Sequence, residues 1–229
     1  MNFSQRQLAS VEQRIEKSAN TVGRSADSIK LIAVSKTFEI ADIEPALDAG
    51  QRVFGENRVQ EAQRKWPELR KHYSGIELHL IGPLQSNKVS DAVQLFDAIQ
   101  TIDRSKLVAA LANAIKKQNA KTKLLVQVNT GREAQKAGIM PEDFETFIDE
   151  AKFHLMEHLI GLMCIPPVDD DPRRHFHLLR SMAEAHQLSV LSMGMSSDFE
   201  IAIAEGANWV RVGSAIFGAR PKVIPSSAR

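Results

Sequence analysis

Short apolar runs alternate with longer amphipathic stretches along almost the whole chain. The runs fall at 31–35, 52–54, 77–81, 96–101, 123–129, 159–164, 189–193 and 208–212, and each predicts a short strand. Helical spacing recurs between them near 39–49, 57–70, 86–92, 104–119, 141–152, 172–187 and 197–205, with a short last helix after Ser214. Ahead of the first strand, Ser4 and Gln7 are spaced as a capping box before Leu8, Val11, Ile15 and Ala19, which predicts an extra N-terminal helix. Leu107, Leu111 and Ile115 give another helix its apolar face, with Asp103 as the expected cap. Eight strand-then-helix units at roughly 25-residue spacing predict an α/β fold, a parallel sheet closed as a single (β/α)8 TIM-type barrel. An open doubly wound sheet is the alternative. It would offer a glycine-rich phosphate turn after its first strand, and Val34-Ser35-Lys36-Thr37-Phe38 has no glycine. One domain is expected over 1–229, with a core of about 30–218.

Composition narrows the class. With 43% hydrophobic and 25% charged residues in 229, a sizeable core can form without metals or disulfides, and the single cysteine, Cys164, excludes a disulfide within the chain. A net charge of +1 offers no field for a polyanion, so no nucleic-acid partner is expected. No stretch of ~18 apolar residues appears that could span a bilayer, and a cytoplasmic monomer is the expectation.

The chemistry-bearing positions fall where strands end. Lys36 follows the first apolar run, and in a barrel that end faces ligands. A lysine amine desolvated there can form a Schiff base with a carbonyl. Met193-Gly194-Met195-Ser196-Ser197-Asp198-Phe199-Glu200 passes from strand seven into a helix, with Ser197 and Glu200 spaced as a second capping box. Serine hydroxyls and unbonded N–H groups at such a start can receive a phosphate. Gly213 and Ser214 follow strand eight, and barrels commonly bind phosphate between loops seven and eight. Arg211, two residues earlier in an apolar strand, needs an acceptor: a pyridine nitrogen, or a carboxylate on a neighbouring strand. A strand-end lysine, two phosphate half-sites and this arginine point to pyridoxal 5′-phosphate. Asn57 either hydrogen-bonds the cofactor or caps the next helix. His79 faces the barrel interior as a hydrogen-bonded core residue, or lines the site. No histidine pair has the further ligands of a metal site.

Six linked segments resemble a known family: Val34–Thr37, Phe54–Asn57, His79–Lys88, Gly161–Met163, Ser192–Ala202 and Arg211–Gly218 are similar to the pyridoxal phosphate homeostasis (YggS/PROSC) proteins. The resemblance spans roughly 30–218. It implies that Lys36 carries the Schiff base, that Ser196, Ser197, Gly213 and Ser214 hold the phosphate, and that Arg211 approaches the pyridine nitrogen. It also implies a barrel related to the N-terminal domain of alanine racemases, and a carrier or regulator of intracellular vitamin B6 without robust turnover. Apo forms of pyridoxal phosphate enzymes would be the partners. Lys136 matches a lysine considered in the family as a second cofactor site, although Gln135 stands where serine is common; Lys88 reads as a solvated lysine.

The competing enzyme is a racemase-like pyridoxal phosphate catalyst. Two-base racemization needs a group on each face of the substrate, and the only tyrosine, Tyr73, falls in a turn at the opposite end of the expected barrel. A Schiff-base aldolase acting on a sugar phosphate is a third reading, distinguished by the absence of cofactor absorbance.

Overall fold

The computed structural model describes residues 2–219; residues 1 and 220–229, which the single-domain expectation includes, lie outside the described residues. Eight parallel strands close into a barrel in sequence order: β1 (Lys30–Val34), β2 (Val53–Glu56), β3 (Glu77–Leu80), β4 (Ala98–Ile102), β5 (Lys123–Val128), β6 (Leu159–Cys164), β7 (Val190–Ser192) and β8 (Trp209–Val212). The ring closes where β8 pairs with β1, Ile32 opposite Arg211 and Ala33 opposite Val212. The expected barrel is the observed fold, and the open-sheet alternative is excluded.

Helices α1 (Phe3–Thr21), α2 (Ile40–Asp48), α3 (Val59–His72), α4 (Val89–Leu95), α5 (Ser105–Gln118), α6 (Phe144–Leu155), α7 (Pro172–Ala185), α8 (Phe199–Ala204) and α9 (Ser214–Phe217) wrap the sheet. Strands covered on both faces carry mostly apolar runs instead of alternation, and β4 is buried at every position, Gln100 and Thr101 included. The extra helix α1 buries Leu8, Val11, Ile15 and Ala19 against α2, α8 and α9, closing the side where the chain ends its circuit. Inside the barrel, Ile32, Ala98, Leu125, Met163 and Trp209 form a separate apolar cluster. Gly55 makes room for it, since a Cβ there would meet Ile32 Cγ2 and Ile81 Cδ1 at 3.0 Å.

Three expected caps differ. The box on α1 is made by Asn2 and Gln5, each accepting from the other's backbone N–H; the helix starts at Phe3, so Ser4 already lies within its first turn. At α5 the N-cap position is Arg104, in extended conformation, and Asp103 Oδ1 accepts from Arg104 Nη1 at 2.6 Å instead of capping. At α8 the N-cap position is Asp198, whose Oδ1 accepts from Met195 N–H at 2.6 Å. Glu200 is drawn away from Ser197 by Arg14, which donates to both its oxygens and ties α1 to α8. In each case the helix begins a residue or two from the predicted start, which takes the side chain out of capping range.

Candidate cofactor site at the C-terminal end of the barrel

The loop that presents Lys36 is stapled from beneath. Lys65 of α3 is almost fully buried and donates through Nζ to the carbonyls of Ser35 and Phe38, both at 3.1 Å, so one ammonium brackets the Lys36 turn. Its charge is met by Glu56 Oε1 at 2.8 Å and Glu61 Oε1 at 2.9 Å. Glu61 Oε1 also accepts from the N–H of Thr37, whose φ of 69° is left-handed for a residue with a branched side chain. Glu56 Oε1 accepts from Ser35 Oγ and Trp66 Nε1 as well. Burial pushes the Glu56 carboxyl above its ordinary range, opposed by Lys65. A buried pair of this kind holds geometry more than it adds stability.

Above the strand ends lies a cavity of about 320 Å³, whose lining includes the polar residues Lys36, Asn57, Ser196, Ser197, Arg211 and Ser214 and the apolar residues Val34, Ile81, Ile165 and Met195. That volume is within the range of small-molecule sites. The loops after β7 and β8 are joined where Gly213 N–H donates to Ser196 Oγ at 3.3 Å. Gly213 also lets β8 crowd β1, since a Cβ would lie 3.3 Å from Val34 Cβ and its carbonyl oxygen. The left-handed Gly194, φ 88°, turns the chain from β7; a Cβ there would sit 2.5 Å from Ala202 Cβ.

Arg211 is buried, 3% exposed, with Nη1 donating to Ser192 Oγ at 2.7 Å and Nη2 to the Cys164 carbonyl at 2.8 Å. Its acceptors are therefore a hydroxyl and a carbonyl, and the carboxylate partner weighed from the sequence is not what it finds. Burial pulls its pKa down, but a guanidinium keeps its proton in a protein. The Cys164 thiol beside it is pushed up to about 12 by burial, which removes it as a nucleophile. No group of three metal-ligating side chains occurs among the described residues, nor any helix long and apolar enough to cross a membrane.

The remaining predicted positions divide. Asn57 borders this cavity and two others; the residue preceding α3 is Arg58, so Asn57 is not its cap. His79 is not on the cavity wall. It is wholly buried among the strands, with Nε2 3.0 Å from Glu77 Oε1, Nδ1 2.8 Å from Gln100 Nε2, and its ring 4.7 Å from that of Trp209. Lys136 lines an adjoining cavity of about 250 Å³ that shares Asn57, Ile81 and Ile165 with the first. It pairs with Glu133 and reaches the Pro166 carbonyl at 3.5 Å. Lys88 lies 3.6 Å from Asp91 beside a separate groove.

Sequence reasoning passed over Lys65, Gln100 and Ser192. For Lys65 a signal exists: with Ala62, Trp66 and Leu69 it falls on the buried face of α3, four residues after Glu61. Gln100 and Ser192 meet only across the barrel, 92 residues apart, and no local pattern marks them.

The donors present fit a phosphorylated aldehyde. A lysine amine lines the cavity together with the hydroxyls of Ser196, Ser197 and Ser214, the last opening α9, whose Ile216 and Phe217 N–H groups donate to the Gly213 carbonyl. Comparison with known proteins agrees with this chemistry. The family model for the alanine racemase N-terminal domain matches residues 7–221. The pyridoxal phosphate homeostasis protein of Escherichia coli K12 is 39% identical, covering 96% of this chain and 98% of its relative. That of Pseudomonas aeruginosa is also 39% identical, with 96% and 97% covered.

The chain belongs to the pyridoxal phosphate homeostasis protein family.

Solved structures of the same fold include PipY of Synechococcus elongatus PCC7942 with PLP bound, 37% identical, TM-score 0.77, covering 90% of this chain and 100% of that one. The same protein without PLP gives a TM-score of 0.80. An alanine racemase of Clostridium difficile 630 shares the fold at 13% identity and TM-score 0.67, and this chain spans 57% of it.

Proposed function

We propose that this protein holds pyridoxal 5′-phosphate covalently through a Schiff base at Lys36 and serves intracellular vitamin B6 homeostasis as a carrier or regulator, without robust catalysis. The observation that carries the reading is the meeting, in one cavity, of Lys36 with Ser196, Ser197, Gly213, Ser214 and Arg211. The names of its relatives and the PLP-bound PipY structure support it. When bound, the cofactor supplies an aldehyde that an amine can capture reversibly and a ring able to accept electrons.

The chain's own groups divide the work. The loop stapled by Lys65 offers the Lys36 amine at a constant place on the rim. The serine hydroxyls and backbone N–H groups around Ser196, Ser197, Gly213 and Ser214 receive the phosphate. Arg211 can donate a hydrogen bond to the ring nitrogen but not surrender its proton, which keeps that nitrogen uncharged and the ring a weak electron sink, a property suited to keeping a cofactor. Asn57 hydrogen-bonds the cofactor or a water beside it. Lys136, in the adjoining cavity, is a second or transit site, and apo forms of pyridoxal phosphate enzymes are the recipients. The protein works as a cytoplasmic monomer.

For the racemase-like alternative, the described residues lining the cavity offer no second base beside Lys36. Tyr73 follows α3 on the approach to β3, away from the cavity, and donates to Asp48 Oδ1 at 2.8 Å.

The deciding experiment is the absorption spectrum of purified protein with added pyridoxal 5′-phosphate, before and after borohydride, followed by peptide mass mapping. A band at about 420 nm, lost on reduction and leaving a pyridoxyl adduct on Lys36, is expected of a lysine–cofactor Schiff base. Lys36→Ala should lose the trapped cofactor while keeping its circular dichroism. Trapping retained in that variant overturns the assignment to Lys36. No band in the wild type brings the sugar-phosphate aldolase forward.

A further inference from the structure

The interior of a (β/α)8 barrel is ordinarily filled by branched apolar side chains. Here β3, β4, β7 and β8 each place a polar side chain in it: His79, Gln100, Ser192 and Arg211, the first three wholly buried and the last 3% exposed. They form one unbroken column. Arg211 Nη1 lies 2.7 Å from Ser192 Oγ, which lies 2.6 Å from Gln100 Oε1; Gln100 Nε2 lies 2.8 Å from His79 Nδ1, and His79 Nε2 lies 3.0 Å from Glu77 Oε1. Glu77 in turn receives Lys30 Nζ at 2.7 and 2.9 Å, and Lys123 Nζ at 3.5 Å.

With the Gln100 amide oriented Oε1 to Ser192 and Nε2 to His79, one assignment of protons satisfies every link. Arginine has donors alone, so Ser192 Oγ accepts from it and must give its own hydrogen to Gln100 Oε1. The amide then turns its N–H toward His79 Nδ1, and the imidazole is left with its hydrogen on Nε2, facing the Glu77 carboxylate. Every donor points the same way, from the cofactor cavity toward the opposite end of the barrel. Bonds aligned in this manner polarise one another, and the carboxylate at the end adds electron density to each acceptor before it. Two guanidinium nitrogens are thereby committed below, Nη1 to Ser192 and Nη2 to the Cys164 carbonyl, so the plane of Arg211 is set by groups that do not reach the cavity.

We infer that Gln100 and His79 are positioning residues for the cofactor, acting through Ser192 to fix the orientation and polarisation of Arg211 where it faces the ring nitrogen. The inference rests on the cofactor reading above. It predicts that a change two or three hydrogen bonds away from Arg211, with no contact to the cavity, alters how the cofactor is held.

The test compares His79→Leu and Gln100→Leu, which break the column, with His79→Gln, whose amide can still accept from Gln100 and donate to Glu77. The readouts are the dissociation constant for pyridoxal 5′-phosphate and the absorption maximum of the loaded protein, beside thermal unfolding of the protein without cofactor. Breaking the column should weaken binding about 3- to 10-fold, the worth of one hydrogen bond passed on, and move the absorption maximum; His79→Gln should restore both. Wild-type affinity and spectrum in the two leucine variants, whatever their stability, overturn the inference and leave the cofactor reading intact. A wild type that binds no cofactor overturns both.

If the leucine variants do not fold, the unaltered protein still decides. The ¹⁵N signals of the His79 ring should report a hydrogen on Nε2 and a bare Nδ1, and should shift when pyridoxal 5′-phosphate is added. The opposite tautomer, or signals indifferent to the cofactor, overturns the proposal.

Discussion

The two ends of this barrel treat charge in opposite ways. At the N-terminal end, Lys30 and Lys123 converge on one carboxylate, Glu77, and the Lys30 ammonium also lies 5.0 Å from the centre of the Trp209 ring. At the C-terminal end, Arg211 donates to a hydroxyl and a carbonyl, with Asp198 acting on it only through its charge, and the cavity it borders is lined by Lys36, Asn57, serine hydroxyls and apolar groups. At one end a carboxylate receives two ammonium groups directly; at the other the Arg211 guanidinium is held by neutral acceptors beside a cavity of ligand size. Where a fold spends its carboxylates therefore says as much about binding capacity as where it places its lysines. Lys65 sharpens the point. It lies close beneath the Lys36 loop, yet two carboxylates and two carbonyls surround its nitrogen, which makes it a structural cation.

The contrast can be broken most forcefully at Lys65. Replacing it by Met strands the buried Glu56 and frees the Lys36 turn, and urea unfolding should show a loss of about 3–5 kcal/mol, the usual consequence of removing one partner of a buried pair. A loss below about 1 kcal/mol would mean that Glu56 simply takes up a proton, as its raised pKa permits.

A smaller effect is expected at the cavity itself. Ser197→Ala combined with Ser214→Ala removes two hydroxyls that can meet the phosphate. Equilibrium dialysis should then give a dissociation constant for pyridoxal 5′-phosphate raised at least about tenfold, from bonds to a charged acceptor worth roughly 1.5–3 kcal/mol each. Borohydride trapping at Lys36 should survive at saturating cofactor. Unchanged affinity would remove the phosphate from this side of the pocket.

The compensated end responds to acid. The hydrogen bond from His79, with help from Lys30 and against burial, holds the Glu77 carboxyl well below the ordinary range, and burial lowers the His79 pKa. Both groups bind protons more readily in the unfolded chain, so stability falls as pH falls, from about pH 6.5 downward through His79 and from about pH 5 downward, continuing below about pH 4, through Glu77. In thermal melts across that range, Glu77→Gln should flatten the lower part of the decline, at a cost on the order of 1 kcal/mol near neutral pH. An equally steep profile in the variant would assign the acid sensitivity to other carboxylates.

Much of this architecture is legible in the order of residues. The run Leu159–Cys164 is a strand to the residue, and Lys123–Asn129 misses its end by one, because a strand covered on both sides reads as a mostly apolar run. Lys36, Ser196, Gly213 and Ser214 could be placed together in advance because barrel topology brings the ends of β1, β7 and β8 to one rim. Helix starts were less legible. Asn2, Asp198 and Arg104 occupy cap positions that side-chain spacing had assigned elsewhere, since a one-residue change in where the backbone turns moves a short side chain out of reach.

The sequence by itself determined the barrel, its extra helix, and the residues that gather at its open end, because hydrophobic period and strand order act through local geometry and a single topology. Only the tertiary structure decided which acceptors Arg211 takes, which partners the core histidine His79 bonds, and that Lys65 serves the Lys36 loop. Those outcomes depend on side chains tens of residues apart competing for the same few donors and acceptors inside a closed space. Hydrogen bonding at that range is settled by packing, which no spacing along the chain encodes.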